Sequence, residues 1–121
     1  MNGNDNVVKV KSFAFAVRIV KLYKILSDER KEFVMSKQLL RSGTSIGANT
    51  REALNAEIKP DFVHKLAIAQ KECDESLYWL ELLKETNYLN ENEYKSISSD
   101  AAELLKIIRS IIITSKTKNN S

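Results

Sequence analysis

Apolar residues recur at three- and four-residue spacing along most of the chain, which is the pattern of amphipathic α-helices. The pattern predicts four helices, at about residues 12–27, 33–56, 60–86 and 91–115. Turn signals are few, since the sequence has three glycines and one proline. Short connections make consecutive helices antiparallel, so we expect an all-α, up-down-up-down four-helix bundle. We expect Ser12 to cap the first helix, and Asn90 with Glu93 to cap the fourth.

The third helix carries more apolar surface than one core-facing stripe requires. Its stripe runs from Phe62 to Leu83 at heptad spacing, and residues 77–83 are apolar on almost every side. A surface helix of a monomer needs only one apolar stripe. This half of the helix is therefore central in the bundle or lies against another subunit, and we assign Tyr78 and Trp79 to a subunit interface.

The second helix contains two glycines, Gly43 and Gly47, on a stripe of small residues. Each interior glycine costs a helix about 1 kcal/mol relative to alanine. Close approach of another helix or subunit would offset that cost. We assign both glycines to an oligomer interface.

Polar residues form another face of the second helix. They are spaced by three or four residues: Arg41, Ser45, Asn49 and Glu52. Acidic residues of the third helix, Glu72 and Glu75, are candidate partners for Arg41 or Arg18 across a helix interface. We interpret the face, together with Glu75, as a structural polar network that fixes helix register or a subunit contact.

Charge is unevenly distributed in a chain of net charge +3. Residues 1–60 contain eleven Lys and Arg against six Asp and Glu, giving +5, whereas residues 61–121 contain eight against ten, giving −2. No acid interrupts the five bases between Lys9 and Lys24, and such a stripe can attract a phosphate backbone. The alternative interpretation of this stripe is a solvent-exposed helix face that binds no ligand. The candidate nucleic-acid contacts are Lys9, Lys11, Arg18, Lys21, Lys24, Lys37 and Arg51.

Catalytic and cofactor-binding patterns are missing from the sequence. The single histidine, His64, is badly placed to pair with the single cysteine, Cys73, which we interpret as a buried structural residue. No phosphate loop, nucleotide-binding glycine motif or zinc pattern occurs. We therefore expect neither an enzyme nor a cofactor or metal.

Length and composition indicate one domain over residues 1–121, with flexible tails at about 1–10 and 116–121. The polar start lacks a secretory signal, and no apolar run is long enough to span a membrane. One cysteine excludes an intramolecular disulfide. We expect a cytoplasmic protein without membrane association.

A family resemblance covers about residues 13–115. The second helix carries much of it, in Gln38-Leu39, Arg41, Ser45-Ile46, Asn49 and Glu52. The remainder lies in Asp61-Phe62, the segment from Lys71 to Glu75, Tyr78-Trp79-Leu80 and Tyr88-Leu89. On these residues the chain resembles the bacterial four-helix-bundle family of proteins encoded by intervening sequences of 23S ribosomal RNA genes, formerly called S23 ribosomal proteins. The accessory variability protein of diversity-generating retroelements is similar to the same family.

The resemblance implies a homopentamer of antiparallel bundles around a central pore, without catalysis. Some relatives bind nucleic acid and a reverse transcriptase through a basic surface. Our first hypothesis is therefore an oligomeric protein that binds RNA or DNA, with RNA favoured. The alternative is a scaffold that binds a protein partner and no nucleic acid.

Overall fold

A computed structural model describes residues 3–119, except for the side chains of Asn4, Lys118 and Asn119. Over that range the chain forms four α-helices: α1 (Gly3–Lys24), α2 (Met35–Leu54), α3 (Lys59–Glu85) and α4 (Glu91–Asn119). A π-helical turn, Ile25–Glu29, follows α1 directly. The predicted all-α four-helix bundle is confirmed.

Contacts between the helices fix their antiparallel order. Residues early in one helix meet residues late in its neighbour, as Ser12 meets Gly47 between α1 and α2. The Oγ atoms of Ser42 and Ser76 hydrogen-bond at 2.9 Å between α2 and α3. The α1 helix packs against α2 and α4, and α3 packs against the same two helices from the other side.

Helix α1 begins earlier than the sequence predicts, and the predicted flexible tail at residues 1–10 is wrong for residues 3–10. Val8 lies seven residues before Phe15, so it extends the same core stripe by two helical turns, and it is fully buried. Ser12 is therefore inside the helix and buried, where its Oγ donates to the Lys9 carbonyl instead of capping. Helix α4 likewise continues through residues 116–119, which were predicted to belong to a tail. Residues 1, 2, 120 and 121 lie outside the described residues.

The predicted core stripes are buried in the centre of the bundle. The heptad positions of α3 from Leu66 to Leu83 are fully buried, including Cys73 and Ser76. The other helices contribute large buried side chains, among them Phe15, Ile19, Leu39, Ile46, Leu104 and Ile108. This single core positions the outer faces of the helices.

Buried Glu32 orders the connection between α1 and α2. Its carboxylate accepts hydrogen bonds from the backbone N–H groups of Val34, Met35 and Ser36, at 2.6–3.1 Å. Burial favours the neutral acid, but these bonds favour the carboxylate more strongly, so the pKa of Glu32 lies below its ordinary value. Glu32 therefore supplies the cap that the apolar Val34 at the start of α2 lacks.

The second predicted cap, at α4, is confirmed. Asn90 N–H donates to Glu93 Oε1 at 2.9 Å, and Glu93 N–H donates to Asn90 Oδ1 at 2.8 Å. This reciprocal pair satisfies two backbone donors at the helix end. The Arg30 guanidinium also binds the Glu93 carboxylate through two hydrogen bonds, at 2.6 and 3.0 Å. The start of α4 is thus joined to the end of the π-helical turn.

Candidate nucleic-acid interface

Two of the seven predicted nucleic-acid contacts are already paired with carboxylates of α4. Lys11 Nζ lies 2.7 Å from Glu103 Oε1, and Arg18 Nη1 lies 2.6 Å from Asp100 Oδ2. The acid-free stripe seen along the first helix is therefore neutralised in part by the neighbouring helix. Lys11 and Arg18 would have to break these ion pairs before contacting a phosphate.

The other five predicted cations are exposed and have no carboxylate partner among residues 3–119. They are Lys9, Lys21, Lys24, Lys37 and Arg51. Lys21 lies on the side of α1 that faces α4, beside Leu22 and Ile97. The remaining four lie along the paired helices α1 and α2.

Lys9 and Arg51 meet at one end of this helix pair. They line a cavity of about 290 Å³ together with Leu54 and Asn55. Arg51 Cζ also lies 5.2 Å from the centroid of the Phe13 ring, a cation–π distance, and Phe13 remains 55% exposed. A cationic pair and an exposed aromatic ring therefore lie together at this end.

Lys24 and Lys37 lie at the other end. Gly43 faces Ile19 and Gly47 faces Ser12, so the antiparallel register places Lys37 near the level of Lys24. Helical spacing puts Lys24 on the same side of α1 as Phe13, with two exposed valines between them. We call this surface the α1–α2 face, formed by Lys9, Phe13, Val17, Val20, Lys24, Lys37 and Arg51.

The predicted pairing of Arg41 with acids of the third helix is present at the surface. Arg41 Nη1 lies 3.1 Å from Glu72 Oε2, and its Nη2 donates to Glu75 Oε2. The Trp79 indole N–H also donates to Glu75 Oε2, at 3.1 Å. The Trp79 bond, and next the arginine, hold the pKa of Glu75 below its ordinary value although burial opposes them. The Arg41 side chain is 50% exposed, so this is a surface network and not a buried ion pair.

The rest of the predicted polar network makes separate contacts. Ser45 Oγ donates to the Arg41 carbonyl at 2.6 Å, and the Asn49 amide donates to the Ser45 carbonyl at 2.9 Å. Glu52 pairs with Lys65 at 3.4 Å. Arg41, Ser45, Asn49 and Glu52 therefore share a face of α2, and of these four only Arg41 bonds to Glu75 of α3. The side chains do not form one continuous network.

Gly43 and Gly47 lie inside the chain, in the contact between α1 and α2. A Cβ atom at Gly43 would lie 2.7 Å from Ile19 Cγ1, and one at Gly47 would lie 3.3 Å from the Ser12 carbonyl oxygen. Both glycines are buried by α1, which corrects their assignment to a subunit interface. The close approach that the glycines indicated is present, but within one chain.

The two aromatic residues assigned to a subunit interface differ in exposure. Tyr78 is 58% exposed, whereas Trp79 is half-buried and packs on the core. Their rings make an edge-to-face contact with centroids 5.0 Å apart. Tyr78 thus keeps a surface on which another molecule can pack.

His64 and Cys73, the two residues considered above as a catalytic pair, lie in different environments. His64 is exposed, whereas Cys73 is fully buried and donates to the Ala101 carbonyl at 3.1 Å. Burial, and then the charge of Asp74, raises the pKa of Cys73 to about 12. Within residues 3–119, no three His, Cys, Asp or Glu side chains are grouped to hold a metal ion. No described helix is long and apolar enough to cross a membrane.

Comparison with known proteins supports the family resemblance. The family model described as 23S rRNA-intervening sequence protein matches residues 4–110. The chain belongs to this family. It is also 60% identical to a protein of unknown function from Bacteroides thetaiotaomicron, from the S23 ribosomal protein family, whose crystal structure superposes with a TM-score of 0.89. That match covers 90% of this chain and 97% of the other. No curated protein matches the chain significantly.

Proposed function

We propose that this member of the 23S rRNA-intervening sequence protein family is a non-enzymatic, self-associating bundle that binds nucleic acid, with RNA favoured. The observation that carries the proposal is the set of four exposed cations on the α1–α2 face, Lys9, Lys24, Lys37 and Arg51. Each lacks a carboxylate partner among the described residues. Each can therefore bind phosphate without first breaking an ion pair.

Self-association would strengthen the binding of a nucleic-acid strand, although each chain carries only a modest charge. The net charge of +3 is small, but a ring repeats the same face in every subunit and raises the effective concentration for a bound strand. Exposed apolar side chains provide surfaces for such contacts, among them Val10 at 66% and Tyr78 at 58% exposure. We propose a homopentamer, the assembly that the resemblance implies.

The proposal predicts strongly salt-dependent RNA binding. Each phosphate contact on a single strand contributes a slope of roughly −0.7 to log K against log salt, so four contacts weaken binding about fifty-fold between about 50 and about 200 mM salt. Fluorescence anisotropy with a labelled single-stranded RNA oligonucleotide of mixed sequence measures this directly. Binding that does not change over this range of salt would refute the phosphate contacts.

A pair of double variants tests the location of the contacts. Lys24→Gln with Lys37→Gln removes two of the four cations, so the same salt change should weaken binding only about seven-fold. The control is Lys71→Gln with Lys106→Gln, which lowers the net charge equally at exposed lysines of α3 and α4. The control should keep the wild-type slope. Equal effects of the two double variants would place the contacts elsewhere.

A protein scaffold without nucleic-acid binding is the second candidate. It is favoured by the exposed apolar residues Phe13, Val17 and Val20, which separate the two cationic ends of the α1–α2 face. Pull-down from nuclease-treated extract tests it. A stoichiometric protein partner, together with no RNA binding at about 50 mM salt, would support the scaffold over the first proposal.

A further inference from the structure

A groove of about 450 Å³ lies between α1 and α4, on a different side of α1 from the α1–α2 face. Its apolar lining consists of Leu22 from α1, Ile25 from the adjoining turn, Leu89 from the connection before α4, and Ile97 from the first half of α4. The volume falls in the range of about 300–1,000 Å³ that is typical of small-molecule sites. Such a lining can bind a hydrocarbon group.

The groove borders an irregular part of the backbone. Ile25 begins the π-helical turn, and the Arg30 N–H closes that turn by donating to the Ile25 carbonyl at 3.1 Å. Arg30 Nη1 then donates to the Tyr88 carbonyl at 2.6 Å, which ties the turn to the segment before α4. Single π-helical turns are rare and frequently occur at functional sites. These contacts hold this end of the groove in place.

The rim has one cation without a partner. Glu93 carries negative charge there, but Arg30 pairs with it through two hydrogen bonds. Arg18 pairs with Asp100 and also donates to Ser96 Oγ at 3.0 Å. Lys21 is exposed and has no carboxylate partner in the described part of the chain. The lining is thus apolar, and its one unneutralised charge is positive.

We propose that this groove binds a small amphipathic carboxylate, with its hydrocarbon tail on the apolar lining and its carboxylate at Lys21 Nζ. The Lys21 ammonium can pair with the ligand's single carboxylate, while the apolar lining beside it contacts the hydrocarbon tail. Asn92, which also lines the groove and is exposed, supplies a further N–H donor there. This site is independent of the nucleic-acid proposal, because it uses a different side of α1.

Decanoate is a suitable probe, and two relatives of it separate the contributions of head and tail. Decanol has the tail without the charge, and acetate has the charge without the tail. In NMR titrations of the isotope-labelled protein, decanoate should shift the amide signals of Lys21, Leu22 and Ile97 with one saturable affinity. Decanol and acetate should each bind at least about tenfold more weakly. Equal binding of decanol, or shifts spread over all four helices, would overturn the proposal.

Two neighbouring lysines give a matched pair of variants. Lys21→Gln removes the charge at the groove and should weaken decanoate binding about tenfold. Lys24→Gln removes the same charge one turn later, at an exposed residue that does not line the groove, and should leave decanoate binding unchanged. Asn92→Trp fills the groove from an exposed position and should abolish binding. Equal weakening by both lysine variants, or full binding by Asn92→Trp, would contradict the site.

Discussion

Replacing Gly43 with alanine should destabilise the bundle, although alanine is the better helix former. The new Cβ would lie 2.7 Å from Ile19 Cγ1 and 2.9 Å from Ile19 Cγ2. Both carbons branch from the Ile19 Cβ, and the side chain is fully buried, so it has little room to rotate away. Overpacking costs about 1–3 kcal/mol, and two carbon–carbon contacts below 3.0 Å place this change in the upper half of that range, at about 2–3 kcal/mol. The gain in helix propensity returns about 1 kcal/mol. We expect the free energy of unfolding to fall by about 1–2 kcal/mol.

A double-mutant cycle with Ile19→Ala isolates the contact. Ile19→Ala removes both Cγ atoms and Cδ1, and alone it should cost about 2–5 kcal/mol because it leaves a cavity. In that background the alanine at position 43 meets no isoleucine and should stabilise by about 1 kcal/mol. The effect of Gly43→Ala therefore changes sign, with a coupling energy of about 2–3 kcal/mol.

Chemical denaturation followed by circular dichroism measures all four members of the cycle. Ala48→Gly is the control, because Ala48 is exposed on the same helix. This variant should lower the free energy of unfolding by about 1 kcal/mol through helix propensity alone. An intrachain contact also predicts the same effect of Gly43→Ala at every protein concentration. The same change in both Ile19 backgrounds, or an effect that depends on protein concentration, would refute the contact between α1 and α2 as its cause.

Three further predictions concern buried or paired groups. Glu32→Ala should lower the free energy of unfolding by about 2 kcal/mol, because three backbone N–H groups lose their acceptor. The pKa of Glu32 is lower in the folded protein than its ordinary value of 4.5, so the stability that Glu32 contributes is fully present above pH 4.5 and is lost as the pH falls through the folded pKa. In denaturation experiments at a series of pH values, the difference in free energy of unfolding between wild type and Glu32→Ala should therefore shrink in acid. A difference that grows in acid would contradict this. Cys73, with its pKa of about 12, should react with iodoacetamide at about pH 8 only as fast as the protein unfolds. Mass spectrometry measures the labelling, and rapid labelling of the native protein would disprove the burial of Cys73. Arg41→Met should lower the free energy of unfolding by less than about 1 kcal/mol, because the Arg41 side chain is half-exposed. It should also shift the fluorescence emission of Trp79, because Arg41 and the Trp79 indole bind the same Glu75 carboxylate. An unchanged emission spectrum would argue against that shared contact.

Hydrophobic periodicity carried most of the information about the fold. The stripe of α3 from Leu66 to Leu83 was predicted position by position, because heptad spacing leaves one arrangement that buries all of it. The start of α1 was missed because residues 2–6 are polar and resemble a tail. Val8, seven residues before Phe15, was the available signal that the helix continues.

The candidate interface was less predictable, because pairing depends on which helices become neighbours. The acids that neutralise Lys11 and Arg18 come from α4, more than 80 residues later in the chain, so counting charges along α1 could not find them. The glycines of α2 correctly indicated close packing, but periodicity does not distinguish a partner in the same chain from one in another subunit. Glu32 was missed for a similar reason, since its capping contacts depend on the backbone path of the connection.

Light scattering with and without RNA tests the central claim most directly. We predict a particle of about five times the 13.8 kDa chain mass at micromolar concentration, and a further mass increase when a single-stranded RNA oligonucleotide is added at low salt. A particle of 13.8 kDa that is unchanged by RNA would contradict both the proposed assembly and the proposed ligand.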